Sequence, residues 1–376
     1  MTNLFPQPGP LTSFRRQAMA SDFEVLVNES EDARAADAAL DALDEVDRVE
    51  EILSVFRPTS ELSRLNVLGA EIGPRVSDEL WNWLETALRL GNETEGAFDV
   101  ACAPLWRAWG FAKREGEFPA EDKLKRALEL SGARHLRLDP DRQTVAFDRE
   151  GVELNFGAIG KGIALDLAAA KLEERGIGDF LVQGGKSGAV ARGGRANDRP
   201  PTAKTDEPDE NELDPDIDEE SGLPIRRTLA DPPTAPETGP ARAPRRLDDE
   251  ATGWTIGVAH PLMPEKRLGE LWLRDRALAT SGSTHQFFRV GGKRYSHVID
   301  PRTGYPATGV LSATVLAPDA TEADALSTAF FALGPEKTAL FCERRPDIAA
   351  LLVLEATGER VELATFNLDP ELFRPL

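Results

Sequence analysis

Between Gly194 and about Glu250 the chain changes character. Pro, Asp, Glu, Arg and Thr dominate, in runs such as Asp206-Glu-Pro-Asp-Glu-Asn-Glu-Leu-Asp214 and Pro232-Pro-Thr-Ala-Pro236. A stretch so poor in apolar side chains cannot bury enough surface to offset the entropy of ordering it, which predicts a disordered insert over residues 194–251. Closing a loop of that length costs only a few kcal/mol, because closure entropy grows with the logarithm of loop length. The expectation is therefore one discontinuous domain made of residues 1–193 and 252–376.

Of the 376 residues, 44 are Lys or Arg and 65 are Asp or Glu, a formal net charge of −21. That balance opposes generic binding to phosphate backbones or anionic lipid, so nucleic acid is excluded as a partner. Cys102 and Cys342 are the only cysteines and stand far apart, which supports neither a disulfide framework nor a zinc site. The start, Met1-Thr-Asn-Leu-Phe-Pro, has neither a basic region nor an apolar core of signal-peptide type. No apolar run approaches the ~20 residues of a membrane span. These features predict a cytoplasmic protein.

Phe23–Asn28 alternates like a strand, and Ala33–Leu53 carries Ala36, Leu40, Leu43, Val46 and Val49 on one helical stripe. Leu80–Asn92, Glu121–Ser131 and Ile163–Glu174 read as further helices, the last stopped by Gly176. Arg134–Leu138, Thr144–Asp148, Val152–Phe156 and Asp179–Gln183 read as strands. Beyond the insert, Trp254–Val258, Glu270–Leu273, Ala277–Ser281, Phe287–Val290, Lys293–Ile299 and Leu311–Ala317 look extended. Helices over Glu322–Leu333 and Glu336–Glu343 and strands over Ala349–Leu354 and Arg360–Thr365 complete the pattern. Successive strands without helices between them predict antiparallel pairing, hence an α+β fold.

Three segments could carry chemistry. In Asn155-Phe-Gly-Ala-Ile-Gly160-Lys161-Gly162 a strand feeds a glycine-rich turn that opens a helix, a place where free N–H groups and the helix dipole favour an anion and Lys161 adds a charge. The spacing is not that of a P-loop, and a tight turn with a solvated lysine fits the same residues. In Thr321-Glu-Ala-Asp324-Ala-Leu-Ser-Thr328, Asp324 and Thr328 fall on one helical face, where a carboxylate and a hydroxyl could hold a hard cation. Thr321 and Asp324 equally fit a capping box. In Ala279–Pro306, hydroxyls, aromatics and the turn Asp300-Pro-Arg-Thr-Gly304 surround His297, which could serve as a base or as a structural side chain.

In order, these segments resemble the FAD:protein FMN transferases, the ApbE-type flavin transferases. Five blocks carry the resemblance: Met19-Ala-Ser-Asp-Phe; Ser54-Val-Phe-Arg-Pro-Thr-Ser60-Glu-Leu-Ser-Arg-Leu-Asn66; Thr94-Glu-Gly-Ala-Phe-Asp99 with Trp109-Gly-Phe111; Gly157 to Asp166; and Ala279–Pro306 with Glu322–Thr328. The resemblance implies a fold of mainly antiparallel sheets and helices, T-fold-like, with FAD in a cleft between two lobes. It implies Mg²⁺-dependent transfer of FMN from FAD to a Thr or Ser of a partner flavoprotein, with release of AMP. It places Asp324, Thr328 and the carbonyl of Gly160 at the metal, His297 in catalysis, and Met19, Ser60, Glu61, Asn66, Thr94, Phe98, Asp99, Lys161 and Asp166 around FAD.

The chain departs from the family pattern at three places. Lys186 follows Gly184-Gly185 where the family has an aspartate, Asn155 stands where Asp is usual, and Ser281-Gly-Ser-Thr lacks the usual Asp or large residue after its glycine. Two further readings therefore stand beside transfer: an FAD pyrophosphatase giving FMN and AMP, and a non-catalytic FAD-binding protein.

Overall fold

The computed structural model describes residues 11–28, 34–111, 117–195, 252–263, 265–282, 287–290, 293–356 and 360–376. The expected insert over 194–251 lies almost wholly outside the described residues. Ser283, Thr284 and His285 also lie outside them.

The first half contributes β1 (Leu11–Ala18), β2 (Ser21–Asn28), α1 (Arg34–Leu53), α2 (Glu61–Leu68), α3 (Asp78–Glu93), α4 (Ala103–Ala108) and α5 (Glu121–Leu130). The hairpin β3 (Leu136–Asp139) and β4 (Thr144–Phe147) follows, then α6 (Gly160–Glu174), β5 (Phe180–Gly184) and β6 (Gly188–Arg192). After residue 251 come β7 (Trp254–Ala259), β8 (Arg267–Leu273), β9 (Arg276–Gly282), β10 (Phe287–Val290), β11 (Lys293–Ser296) and β12 (Val310–Ala317). The chain closes with α7 (Ala320–Arg344), β13 (Ala349–Glu355), β14 (Val361–Phe366) and β15 (Phe373–Pro375).

Eight strands form one sheet in the order β1-β2-β5-β6-β9-β12-β13-β14, and every pairing in it is antiparallel. The architecture is α+β. The central contact, β6 with β9, joins the two halves of the sequence: Ala189 pairs with Leu278 and Val190 with Ala277. Arg195 N donates to Gly253 O at 2.8 Å, so these two residues are neighbours in space.

Alternation along the strands divides the core. Phe180, Val182, Val190, Ala279 and Val315 face α1, α6 and α7, while Leu181, Ala189, Ala191, Leu278 and Leu316 face a second sheet of order β15-β8-β7. Both faces of the large sheet are thus covered, which explains why β12 and β13 are nearly continuous in apolar residues rather than alternating.

One expected strand is absent among the described residues, and β1 and β6 are strands that periodicity did not mark. Val152–Phe156 is extended but belongs to no strand. Its hydrogen-bonding groups go elsewhere: Asn66 donates to Leu154 O at 2.9 Å and accepts from Leu154 N at 2.8 Å, and Asn155 N donates to Val100 O at 2.7 Å. A side-chain amide takes the place of a neighbouring strand. The two helices expected over 322–343 are both present within α7, separated at Gly334, whose φ of 76° and ψ of 179° are not helical, just ahead of Pro335. α2, α4 and the edge strand β1 are short or largely exposed and carry no clear periodic signal.

Candidate active site

α6 and α7 meet at their N-termini, and each caps the other. Asp166 of α6 accepts hydrogen bonds from Ala320 N (2.7 Å), Thr321 N (2.8 Å) and Thr321 Oγ1 (2.5 Å) at the start of α7. Asp324 of α7 accepts from Gly162 N at 3.1 Å in the first turn of α6. Gly162 makes the approach possible, since a Cβ there would lie 2.2 Å from Ala320 O. The capping-box alternative for Thr321 and Asp324 does not occur. Asp319 is the N-cap of α7 and accepts from Glu322 N at 2.7 Å, which leaves Asp324 to reach across to the other helix.

Asp324 is buried, and its second oxygen, Oδ1, has Lys161 Nζ 3.8 Å away. One turn on, Thr328 Oγ1 lies 3.0 Å from Ser281 Oγ at the end of β9, and Ser281 Oγ lies 2.9 Å from Ser327 Oγ. On the opposite side Met19 rests against Gly160, with its Cε 3.2 Å from where a Cβ would stand. Met19 and Ala20 both adopt positive φ (51° and 56°) in the two-residue turn between β1 and β2, a strained turn for residues with side chains. That turn lines a cavity of about 430 Å³ with Ser21, Asp22, Glu50 and Arg57. Met19, Gly160, Lys161, Asp324 and Thr328, drawn from three distant parts of the chain, are linked through the start of α6.

The remaining expected residues are engaged in hydrogen bonds and packing within the fold. Ser60 caps α2, accepting from Ser63 N at 3.0 Å and donating to Ser54 O at 2.6 Å. Glu61 accepts from Ser77 N and Ser77 Oγ, at 2.5 and 2.7 Å. Asn66 holds Leu154 as described. Thr94 is buried and donates to Leu90 O at 2.8 Å, and Phe98 beside it is also buried. Asp99 accepts from Ala101 N and Ala133 N at 2.8 and 2.9 Å, and burial raises its pKa against those bonds. Burial likewise pushes the Asp166 carboxyl up to about 6.

His297 is half-buried between β11 and the Asp300–Gly304 turn, edge-on to Phe111 with ring centroids 6.5 Å apart. The turn is fastened from three directions. Asp300 holds Arg302 through a bidentate pair at 2.8 Å, Trp109 Nε1 donates to Gly304 O at 2.8 Å, and Arg302 Nη2 donates to Ala332 O of α7 at 3.4 Å. The backbone under His297 is therefore tied both to the Trp109 segment and to α7.

A buried carboxylate with one oxygen free of hydrogen bonds among the described residues, a hydroxyl one turn away and an ammonium beside them fit a hard divalent cation and an anionic ligand. Gly160 is the first residue of α6, where a carbonyl is directed down the helix axis, so it is a weaker donor than the two side chains. Sequence reasoning did not single out Ser281 and Ser327. Their signal was the unusual density of hydroxyls at the end of β9 and in the first turns of α7.

The sequence profile of the ApbE family matches residues 19–221 and 241–352. The FAD:protein FMN transferase of Treponema pallidum (strain Nichols) is 30% identical over 309 residues, covering 80% of this chain and 73% of that protein. That of Haemophilus influenzae is 28% identical over 310 residues, covering 80% and 74%. Among solved structures, the ApbE protein of Thermotoga maritima matches with a TM-score of 0.73 at 24% identity, covering 95% of this chain and 97% of that one. The flavin transferase ApbE from Vibrio cholerae matches with a TM-score of 0.70 at 23% identity, covering 96% and 98%. These two likenesses establish the fold.

Proposed function

The chain belongs to the ApbE family, and from that premise we propose that it is a Mg²⁺-dependent FAD:protein FMN transferase, moving FMN from FAD onto a Thr or Ser hydroxyl of a flavoprotein and releasing AMP. The observation that carries the reading is the meeting of α6 and α7, which sets Lys161, Asp324 and Thr328 side by side although 162 positions separate Gly162 from Asp324.

In this reading Asp324 and Thr328 supply side-chain oxygens to the cation, with the Gly160 carbonyl as the remaining backbone candidate. A bound Mg²⁺ would neutralise charge on the diphosphate and stabilise the charge that develops during transfer. Lys161 binds a phosphate oxygen as a point charge, helped by the N-terminus of α6. Met19 and the cavity beside it contact the flavin portion. Ser60, Glu61, Asn66, Thr94, Phe98, Asp99 and Asp166 act through the walls they hold together. The acceptor hydroxyl oxygen bonds to the phosphorus on the riboflavin side, the bond from that phosphorus to the bridging oxygen breaks, and AMP leaves with the bridging oxygen. His297 takes the proton from the hydroxyl, a task suited to an imidazole near neutral pH.

Incubation with FAD and Mg²⁺, alone and with a threonine-bearing flavoprotein fragment, tests the reading. Transfer adds the mass of an FMN group to the fragment as AMP appears. AMP and free FMN without a modified fragment would instead identify a pyrophosphatase, and FAD bound without AMP would identify a binding protein.

A further inference from the structure

The hydroxyl cluster behind Thr328 has a direction, and the direction follows from counting protons. Each of Ser281, Ser327 and Thr328 carries one hydroxyl proton. Ser327 Oγ donates its proton to the carbonyl of Asp324 at 2.9 Å. In its 2.9 Å contact with Ser281, Ser327 can therefore only accept, so Ser281 is the donor. With its own proton committed, Ser281 can only accept in its 3.0 Å contact with Thr328. The proton of Thr328 is thereby drawn to the protein side, where Asp324 O at 3.4 Å is a longer second acceptor. What Thr328 presents outward is lone pairs.

We propose that Ser281, with Ser327 behind it, is a positioning residue that sets Thr328 as a cation ligand. This inference rests on the reading of Asp324 and Thr328 as the metal-binding pair. A hydroxyl free to rotate must give up that freedom, and find an acceptor for its proton, when its oxygen turns to a cation. The chain Thr328 to Ser281 to Ser327 to the Asp324 carbonyl removes that freedom, and it ends on the backbone of the other side-chain ligand. Ser327 is fully buried, so the relay is anchored away from competing solvent. Ser281 comes from β9 and the other two from α7, so the relay also ties the ligand helix to the sheet.

The test compares Ser281→Thr with Ser281→Val in the full chain, two side chains of nearly one shape that differ in the hydroxyl. Mn²⁺ affinity is read by electron paramagnetic resonance with FAD present, together with the KM for Mg²⁺, kcat at saturating Mg²⁺ and the Tm. Ser281→Val should weaken Mn²⁺ binding and raise the KM for Mg²⁺ by roughly 10- to 100-fold, the range seen when a partner behind a metal ligand is lost. The kcat at saturating metal should stay near that of the unaltered protein, and Ser281→Thr should restore the affinity. Ser327→Ala should act in the same direction and more weakly. Equal Mn²⁺ affinity in Ser281→Val, Ser281→Thr and the unaltered protein would overturn the proposal. Asp324→Ala separates the two levels. If it too leaves Mn²⁺ affinity intact, the metal-site reading has failed; if it abolishes binding while Ser281→Val does not, only the relay has.

Discussion

Asp166 is a carboxylate held against its surroundings. Burial raises its pKa to about 6 while three hydrogen bonds from Ala320 and Thr321 oppose the shift. Its value in the folded protein therefore lies above that of the unfolded chain, near 3.8. The sign follows: its contribution is complete below about pH 4 and is lost as pH rises through about 6. Asp166→Asn should remove that slope from a plot of unfolding free energy against pH. It should also cost about 1–3 kcal/mol at pH 7, because an amide must turn its NH₂ toward at least one of three donors. Urea titrations across pH 4–8 measure both, and a variant as stable as the parent at pH 7 with the same slope would contradict the assignment of Asp166 to the start of α7. From sequence, Asp166 read as a residue around FAD. Its partner lies 154 positions away and leaves no trace in local spacing.

The meeting of α6 and α7 depends on Gly162. A Cβ there would stand 2.2 Å from Ala320 O and 2.8 Å from Thr321 Cα, both backbone atoms that cannot turn aside. Gly162→Ala should force the helix starts apart, lengthen the Gly162–Asp324 contact and destabilise the fold by about 3 kcal/mol, at the upper end of the usual cost of overpacking. Differential scanning calorimetry and Mg²⁺ titration should both register the change, and a variant with unaltered Tm and metal affinity would show that the contact is not needed. Legibility at this scale followed periodicity. α1 could be read directly as a helix, although its core face is Ala35, Ala38, Ala39, Ala42, Leu43, Val46 and Val49, and Leu40, expected on that face, is exposed. Of the strands of the large sheet, β2, β5, β9, β12, β13 and β14 could be read, and β1 and β6 could not. Val152–Phe156 misled because an extended, apolar run looks the same whether its partner is a strand or the amide of Asn66. The capping-box ambiguity at Thr321 and Asp324 was settled by Asp319, one residue before the helix, which fits the N-cap role equally well from composition.

At the scale of the molecule, the large sheet is assembled from residues on both sides of positions 196–251, and the residues flanking that segment are held close together. Arg195 N bonds to Gly253 O, Asn28 Nδ2 donates to Gly194 O at 3.2 Å, and β6 and β9 pair directly. The antiparallel α+β arrangement was legible because consecutive strands without intervening helices leave few alternatives. The order of strands was not, since β5 joins β2 and β9 joins β12 over long separations. The Arg195–Gly253 contact has a consequence for the segment between. A contact-free segment whose ends are adjacent in the native state enters stability only through the entropy of closing it, which scales with the logarithm of its length, and the acidic, Pro-rich composition of 196–251 predicts such a segment. Replacing residues 196–251 with a four-residue Gly-Ser linker should leave β6 paired with β9 and raise unfolding free energy by about 2 kcal/mol. FAD affinity should be unchanged, because Met19, Lys161, Asp324 and Thr328 are all positioned by elements that the replacement does not touch. Denaturant midpoints and flavin fluorescence titrations on the shortened chain decide the matter. A large loss of stability would mean that the segment contributes contacts to the fold, and a loss of FAD binding alone would mean that it forms part of the site.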